Sequence, residues 1–282
     1  MQEVSIVRKG TYIAAVSGGV DSIVLLDLLS KQTDIKLIVA HFDHGIRSDS
    51  ATDSQFVKEL AAKYKLPFEL GSAQLGTDAS EEQARNARYS FLHEVKNKYN
   101  ASQIITAHHS DDIVETIIIN LTRGTGWRGI SSLRSTEHVL RPLLDFTKAD
   151  ILTYAKDNKL EWVEDSTNQD LKYLRNQIRH KIVTKMNASQ RAEFLQLYQS
   201  QSDLTDQIDA HTATLTSDKR HDFIMWPESV SLEVLRSQLK LTRPQARRAL
   251  MAIKTAKPGT RLELSGDKSL EFTHKNILTV VK

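Results

Sequence analysis

The chain has no cysteine among its 282 residues. That removes a disulfide framework, a thiolate zinc or iron–sulfur site and a catalytic thiol, including that of a cysteine-based glutaminase. No apolar run approaches the ~18 residues that a membrane helix needs, and residues 1–10 have no signal-peptide core, so the expected setting is the cytosol, with no membrane partner. Internal repeats and low-complexity tracts are missing as well. The glycine loop after the first strand-like run is neither a Walker GxxxxGK[ST] loop nor a dinucleotide GxGxxG. The length suffices for one large domain and a small one.

Charge is nearly balanced, 38 basic against 35 acidic side chains, but unevenly placed. Residues 1–185 carry 24 of each sign, and residues 186–282 carry 14 basic and 11 acidic. Two segments are basic with no acid: Lys172, Arg175, Arg179, Lys181 and Lys185, then Arg243, Arg247, Arg248, Lys254, Lys257 and Arg261. Such clusters either follow a phosphodiester backbone or form solvated helix faces.

Strand-like runs at Tyr12–Val16, Lys36–His41, Phe68–Gly71 and Gln103–Ala107 alternate with helix-like runs at Ser22–Ser30, Thr52–Tyr64, Ser80–Lys98 and Asp111–Leu121. The alternation predicts an α/β fold: a doubly wound, mostly parallel sheet with helices on both faces and ligands at the carboxyl ends of its strands. A helix follows over Thr147–Asn158, with Thr147 and Asp150 at capping-box spacing, and another over Leu171–Met186. From Ser189 to about Thr216 the pattern stays helical and polar. After a helix opening at Thr242-Arg243-Pro244, runs at Arg261–Leu264, Ser269–Thr273 and Ile277–Val281 read as an antiparallel meander with a turn at Gly266-Asp267. The expected division is a catalytic domain at 1–186, a helical connector at 187–228 and a small helical or α+β C-terminal domain at 229–282.

Between the first strand and the first helix stands Ser17-Gly18-Gly19-Val20-Asp21-Ser22. Two glycines let the backbone turn tightly and bring amides to an anion, the serines add hydroxyls, and the helix offers its positive end. An acid beside phosphates, Asp21, fits a Mg²⁺ ligand or a helix-start carboxylate held by the dipole. His41, Asp43 and His44 end the second strand, where they either flank a nucleotide or satisfy backbone groups, and Arg47 follows as a phosphate partner or a solvated arginine. His108, His109, Asp111, Asp112 and Glu115 lack zinc-site spacing. Asp112 and Glu115 share a helix face and suit a cationic amine, Mg²⁺ or helix-start electrostatics. Trp127, in the loop Arg123–Gly129, either stacks on a base or packs beneath the loop. Arg175 and Arg179 lie on one face and suit an AMP phosphate or RNA. Glu81, Arg85 and Arg88 form an ion-pair ladder or an RNA contact.

SGGxDS after the first strand resembles the signature of the PP-loop ATP pyrophosphatases, of adenine-nucleotide α-hydrolase-like fold. The ordered set HFDHGIR (41–47), AHHSDDIVET (107–116), RGTG (123–126), RPLL (141–144) and RNQIRH (175–180) is similar to the tRNA(Ile)-lysidine synthetase family over roughly residues 11–185, and more weakly beyond. The resemblance implies an AMP-forming ligase that joins free L-lysine to C2 of the wobble cytidine of an isoleucine tRNA with a CAU anticodon, through an adenylated cytidine. It implies ATP in Ser17–Ser22 with His44 and Arg179, and Mg²⁺ on Asp21. Asp112, Glu115 and Asp145 would recognise lysine or act as base, with Arg175 and Arg179 at the substrate. Arg85, Arg88, Arg243, Arg247 and Arg248 are the expected tRNA contacts. The absence of cysteine argues against the tRNA-thiolating relatives, which work through a persulfide or a cluster. Another PP-loop synthetase acting on a small molecule and a non-catalytic ATP-binding module stay open, as does the oligomeric state, a homodimer included.

Overall fold

The computed structural model describes residues 8–45, 50–74, 76, 80–164, 172–264 and 268–281. Arg47 and the Gly266-Asp267 turn lie outside them. The chain divides into two compact units, Met1–Gln201 and Ser202–Lys282.

In the first unit β1 (Gly10–Ala15), β2 (Ile35–Asp43), β3 (Phe68–Ser72), β4 (Gln103–Ile105) and β5 (Val139–Leu140) alternate with α1 (Val20–Ser30), α2 (Ser50–Lys63), α3 (Glu81–Lys98) and α4 (Ser110–Thr122). The strands pair in parallel in the order β3-β2-β1-β4-β5, as the alternation predicts. Leu37-Ile38-Val39-Ala40 is wholly buried because helices cover both faces. Side chains alternate between them. Tyr12, Leu37 and Ile105 join Val24, Leu25 and Leu28 of α1 and Ile151 and Ala155 of α5 (Lys148–Asp157). Ile13, Ile38 and Ile104 meet Leu92 and Val95 of α3. Enclosed in this way, α1 is apolar almost all round. Its buried Asp27 is satisfied by Lys31 at 2.7 Å, Tyr64 at 2.8 Å and Tyr154 at 2.7 Å.

Two elements differ from expectation. β5 was not foreseen, since two residues are too few to show an alternation. The helix expected over Leu171–Met186 is α6 (Leu174–Lys181), a break at Ile182, and a single 3-10 turn over Val183–Lys185. Val183 and Ile178 are both buried against Val114 and Ile119 of α4. In an unbroken helix, five residues would set them roughly 140° apart around the axis, so the break returns Val183 to the buried side.

α7 (Ala188–Thr214) contains the boundary between the units. The second unit holds α8 (Arg220–Met225), α9 (Glu228–Leu239), α10 (Arg243–Thr255) and an antiparallel sheet β6 (Arg261–Glu263), β7 (Lys268–Phe272), β8 (Ile277–Val281), the foreseen meander. Phe223, Leu235, Leu250, Ile253, Leu270 and Phe272 form its own core. Arg220 donates to the Ile253, Ala256 and Thr273 carbonyls, satisfying the end of α10. No helix among the described residues is long and apolar enough to cross a membrane.

Candidate active site

The chain winds from β1 outward to β3 and then returns to the other side of β1 for β4. The crevice of such a sheet lies at the carboxyl ends of the two strands flanking this switch point, here β1 and β4. The Ser17–Ser22 loop leaves β1, and His108-His109 leave β4, so two motifs distant in sequence meet there.

Gly18 has φ +94°, a conformation that L side chains rarely adopt. Ser22 staples the loop from inside: its Oγ donates to the Gly19 carbonyl at 2.9 Å and accepts from the Ser17 amide at 3.2 Å. Ser17 is exposed, with its Oγ 3.3 Å from that of Ser22. Val20 and Asp21 open α1, where the first amides have no helical acceptor. The Gly18 carbonyl accepts from the Val163 amide at 3.0 Å. His41, buried, donates from Nδ1 to the Val16 carbonyl at 2.8 Å, tying the end of β2 to the loop, and burial holds its pKa below the usual imidazole value. His44 is half-buried with its ring edge-on to Phe42 at 4.9 Å. Beside it Gly45 has φ +61° and a Cβ there would stand 2.6 Å from the Ala73 carbonyl, so only glycine closes this turn.

At the start of α4, Asp112 Oδ2 accepts from the His109 amide at 3.0 Å. The buried His109 ring stands between two acids, Nε2 being 3.8 Å from Asp21 Oδ2 and 3.6 Å from Asp112 Oδ2. Its Nδ1 is buried without a hydrogen-bond partner among the described residues. Glu115, fully buried, takes Arg175 Nε at 3.1 Å and Arg179 Nε at 2.5 Å, and Arg179 Nη2 stands 3.4 Å from Asp112. Arg175 also bonds Thr116 Oγ1 at 2.9 Å and approaches Glu81 at 3.7 Å. Lys148, the first residue of α5, meets Asp21 Oδ1 at 2.5 Å. Three carboxylates, Asp21, Asp112 and Glu115, thus face three cations, Lys148, Arg175 and Arg179.

Burial pushes the Asp112 carboxyl up, but His109, His108 and Arg175 outweigh it and leave its pKa at about 2. Burial also raises Glu115, against the pull of Arg179. His108, bonded through Nδ1 to Thr106 Oγ1 at 2.8 Å, is lowered to about 3 by burial, so its ring is neutral near pH 7.

The remaining expected residues are dispersed. Asp145 is exposed on the loop before α5, next to Phe146, whose carbonyl accepts from the Ser110 amide at 2.9 Å. Asp111 turns away to Arg191 at 2.6 Å. Arg85 and Arg88 stand 4.8 and 5.7 Å over the Tyr89 ring, and Glu81 pairs with Arg175 rather than with either of them. Trp127 is half-buried, with the Arg128 guanidinium 4.7 Å from its ring. In the second unit Arg243, Arg247 and Arg248 line an open groove of about 840 Å³ with Met251 and Leu262. Lys148 escaped sequence reasoning. Its one signal was its place directly after the Thr147 cap.

The PP-loop domain family matches residues 2–186. Among curated proteins, the tRNA(Ile)-lysidine synthase of Thermotoga maritima is 40% identical over 184 residues, 62% of this chain and 44% of that protein. That of Wolbachia pipientis wMel is 34% identical over 254 residues, 78% of this chain and 57% of that protein. The chain thus spans about half the length of the curated relatives it matches. Among solved structures, the U34-tRNA thiolase NcsA of Methanococcus maripaludis, solved with its [4Fe-4S] cluster, superposes with a TM-score of 0.58 at 15% identity over 71% of this chain and 73% of that one. At that identity the likeness is one of fold.

Proposed function

Because the chain belongs to the PP-loop family, we propose that it is an AMP-forming ligase that joins free lysine to C2 of the wobble cytidine of an isoleucine tRNA with a CAU anticodon. One observation carries the reading. His109 brings Asp21 of the Ser17–Ser22 loop and Asp112 of α4 within 4 Å of one imidazole, so an activating site and an amine site adjoin.

ATP lies with its β- and γ-phosphates on Ser17–Ser22, and the O2 oxygen of cytidine attacks the α-phosphorus as pyrophosphate leaves. The lysine ε-nitrogen then bonds to C2, and the C2–O bond breaks with the oxygen departing on AMP. The site's carboxylates and cations balance without nucleotide, so the charge of ATP has to be met by added cations, and the substrate ammonium is one of them. Asp112 and Glu115, with Asp145 from the loop before α5, receive that ammonium, and one carboxylate of this set assists its loss of a proton before attack. Arg175 and Arg179 hold Glu115 in place and present their remaining N–H groups to the AMP phosphate.

Among the described residues no three His, Asp or Glu side chains converge as a metal-ligand set. Asp21, with phosphate oxygens and water, is a donor set that fits Mg²⁺, an ion that keeps most of its water and takes one or two carboxylates. Bound there, Mg²⁺ would neutralise charge on the leaving pyrophosphate. His44 flanks the nucleoside, Arg85 and Arg88 meet RNA near the site, and Arg243, Arg247 and Arg248 hold tRNA phosphates. The catalytic, connector and C-terminal parts are assigned to 1–186, 187–228 and 229–282, with the connector's last helix, α8, packed into the C-terminal core through Phe223.

Sustained production of AMP and pyrophosphate should require both tRNA and lysine. Turnover with a small-molecule acceptor would favour another PP-loop synthetase, and binding of ATP without turnover would favour a non-catalytic module.

A further inference from the structure

The nucleotide loop contains no lysine of its own, yet an ammonium reaches it from another helix. α5 starts at Lys148 behind a rigid cap: Thr147 Oγ1 accepts from the Asp150 amide at 3.2 Å, and Asp150 Oδ2 accepts from the Thr147 amide at 2.8 Å. Six residues on, the Tyr154 hydroxyl donates to Asp27 of α1 at 2.7 Å, and Lys31, the residue that caps the end of α1, donates to the same hydroxyl at 2.7 Å. Ile151 and Ala155 pack with Val24, Leu25 and Leu28 of α1. α5 is therefore fixed to the helix that the loop opens, and the backbone of Lys148 is set relative to Asp21.

The side chain, by contrast, is partly open to solvent. The Lys148 and Asp21 side chains are 38% and 32% exposed, and exposed pairs of this kind add little to stability and exchange readily. Among the described residues Lys148 is the only lysine or arginine in ion-pair contact with Asp21. A long, flexible stem lets an ammonium move a few ångströms without backbone movement. Phosphate cannot approach Asp21 unless a cation stays between them.

We propose that Lys148 is a phosphate-binding residue that exchanges partners: without nucleotide it neutralises Asp21, and with ATP bound its ammonium moves to the β- and γ-phosphate oxygens, freeing Asp21 for the divalent cation. The proposal rests on reading Ser17–Ser22 as the ATP site. It makes the lysine a competitor of the divalent ion on the empty protein and its ally once ATP is present. Removing it should therefore move the two affinities in opposite directions, which a merely structural role would not do.

The test uses the full chain, Lys148→Ala and Lys148→Arg, with two probes. Calorimetry follows an ATP analogue carrying a methylene bridge between the α- and β-phosphorus, with Mg²⁺ in excess. Electron paramagnetic resonance follows Mn²⁺ without nucleotide. In Lys148→Ala the analogue should bind about tenfold or more weakly, the range of a charged hydrogen bond, and Mn²⁺ several-fold more tightly. Lys148→Arg, which keeps the charge, should bind the analogue within roughly threefold of wild type. Unchanged analogue affinity in Lys148→Ala, or Mn²⁺ binding that is unchanged or weaker, overturns the exchange. Wild-type protein that does not bind the analogue removes the ATP reading of the loop, and this proposal with it.

Discussion

Arg179 holds Glu115 in a fork, Nε to Oε1 at 2.5 Å and Nη2 to Oε2 at 3.0 Å. Arg175 adds a third contact at 3.1 Å, and the carboxylate has no exposure to water. Removing one member of a buried charge group leaves the others uncompensated. Glu115→Ala should therefore lose about 3 kcal/mol in urea unfolding. A loss below about 1 kcal/mol, the level of a surface pair, would show that the arginines find other partners.

Asp21 and Ser17 lie in the loop and are partly or fully exposed, so their loss should affect chemistry and spare the fold. Asp21→Asn and Ser17→Ala are each expected to cut tRNA-dependent pyrophosphate release at least about 100-fold, as for loss of a group that stabilises developing charge. The melting temperature should move by less than about 3 °C. Release at the wild-type rate in either variant would remove the loop from the reaction.

The amine site separates kinetically from the nucleotide site. Asp112→Asn and Asp145→Ala should raise the KM for lysine about tenfold, the cost of a charge-assisted hydrogen bond, with little change in the KM for ATP. Equal rises in both constants would assign these acids to Mg²⁺ instead.

His108 makes stability depend on pH. Its pKa is about 3 in the fold and about 6.5 when unfolded, so between these values the unfolded chain binds the extra proton. Its contribution is complete above pH 6.5 and is lost as pH falls from there towards 3, at about 1 kcal/mol per pH unit. Chemical denaturation of wild type and His108→Asn from pH 7.5 to 4.5 measures it. Parallel pH profiles in the two proteins would contradict the shift.

The groove on α10 is tested by salt. Replacing Arg243, Arg247 and Arg248 together with glutamine should flatten the slope of log affinity for tRNA against log salt by roughly one unit per lost phosphate contact. Superimposable slopes would leave these charges in solvent and remove them from RNA binding.

The loops of the site were legible because each follows an apolar strand, and glycine, acid and hydroxyl at a strand-to-helix turn form a local pattern. The partners of those loops were not. Lys148 meets Asp21 across 127 residues and Arg179 meets Glu115 across 64, and no local pattern reports a pairing made by the fold. Arg175 and Arg179 read correctly as one helix face, but a face does not say whether it points to phosphate or to a buried acid. β5 failed for another reason, its two residues being shorter than the period that reveals a strand.

The bond from the Val163 amide to the Gly18 carbonyl at 3.0 Å fixes the orientation of one peptide plane. In a trans peptide the carbonyl and the next amide point opposite ways, so anchoring the Gly18 oxygen turns the Gly19 N–H outward, to the side where Ser17 Oγ stands 3.4 Å away. Flanked by two glycines, that plane is otherwise free to flip and present an oxygen where a donor is needed. The polarity of the loop, donor or acceptor, is thus set by a single amide about 145 residues downstream, and Val163→Pro, which deletes that N–H, would release the flip while leaving every residue of the loop unchanged.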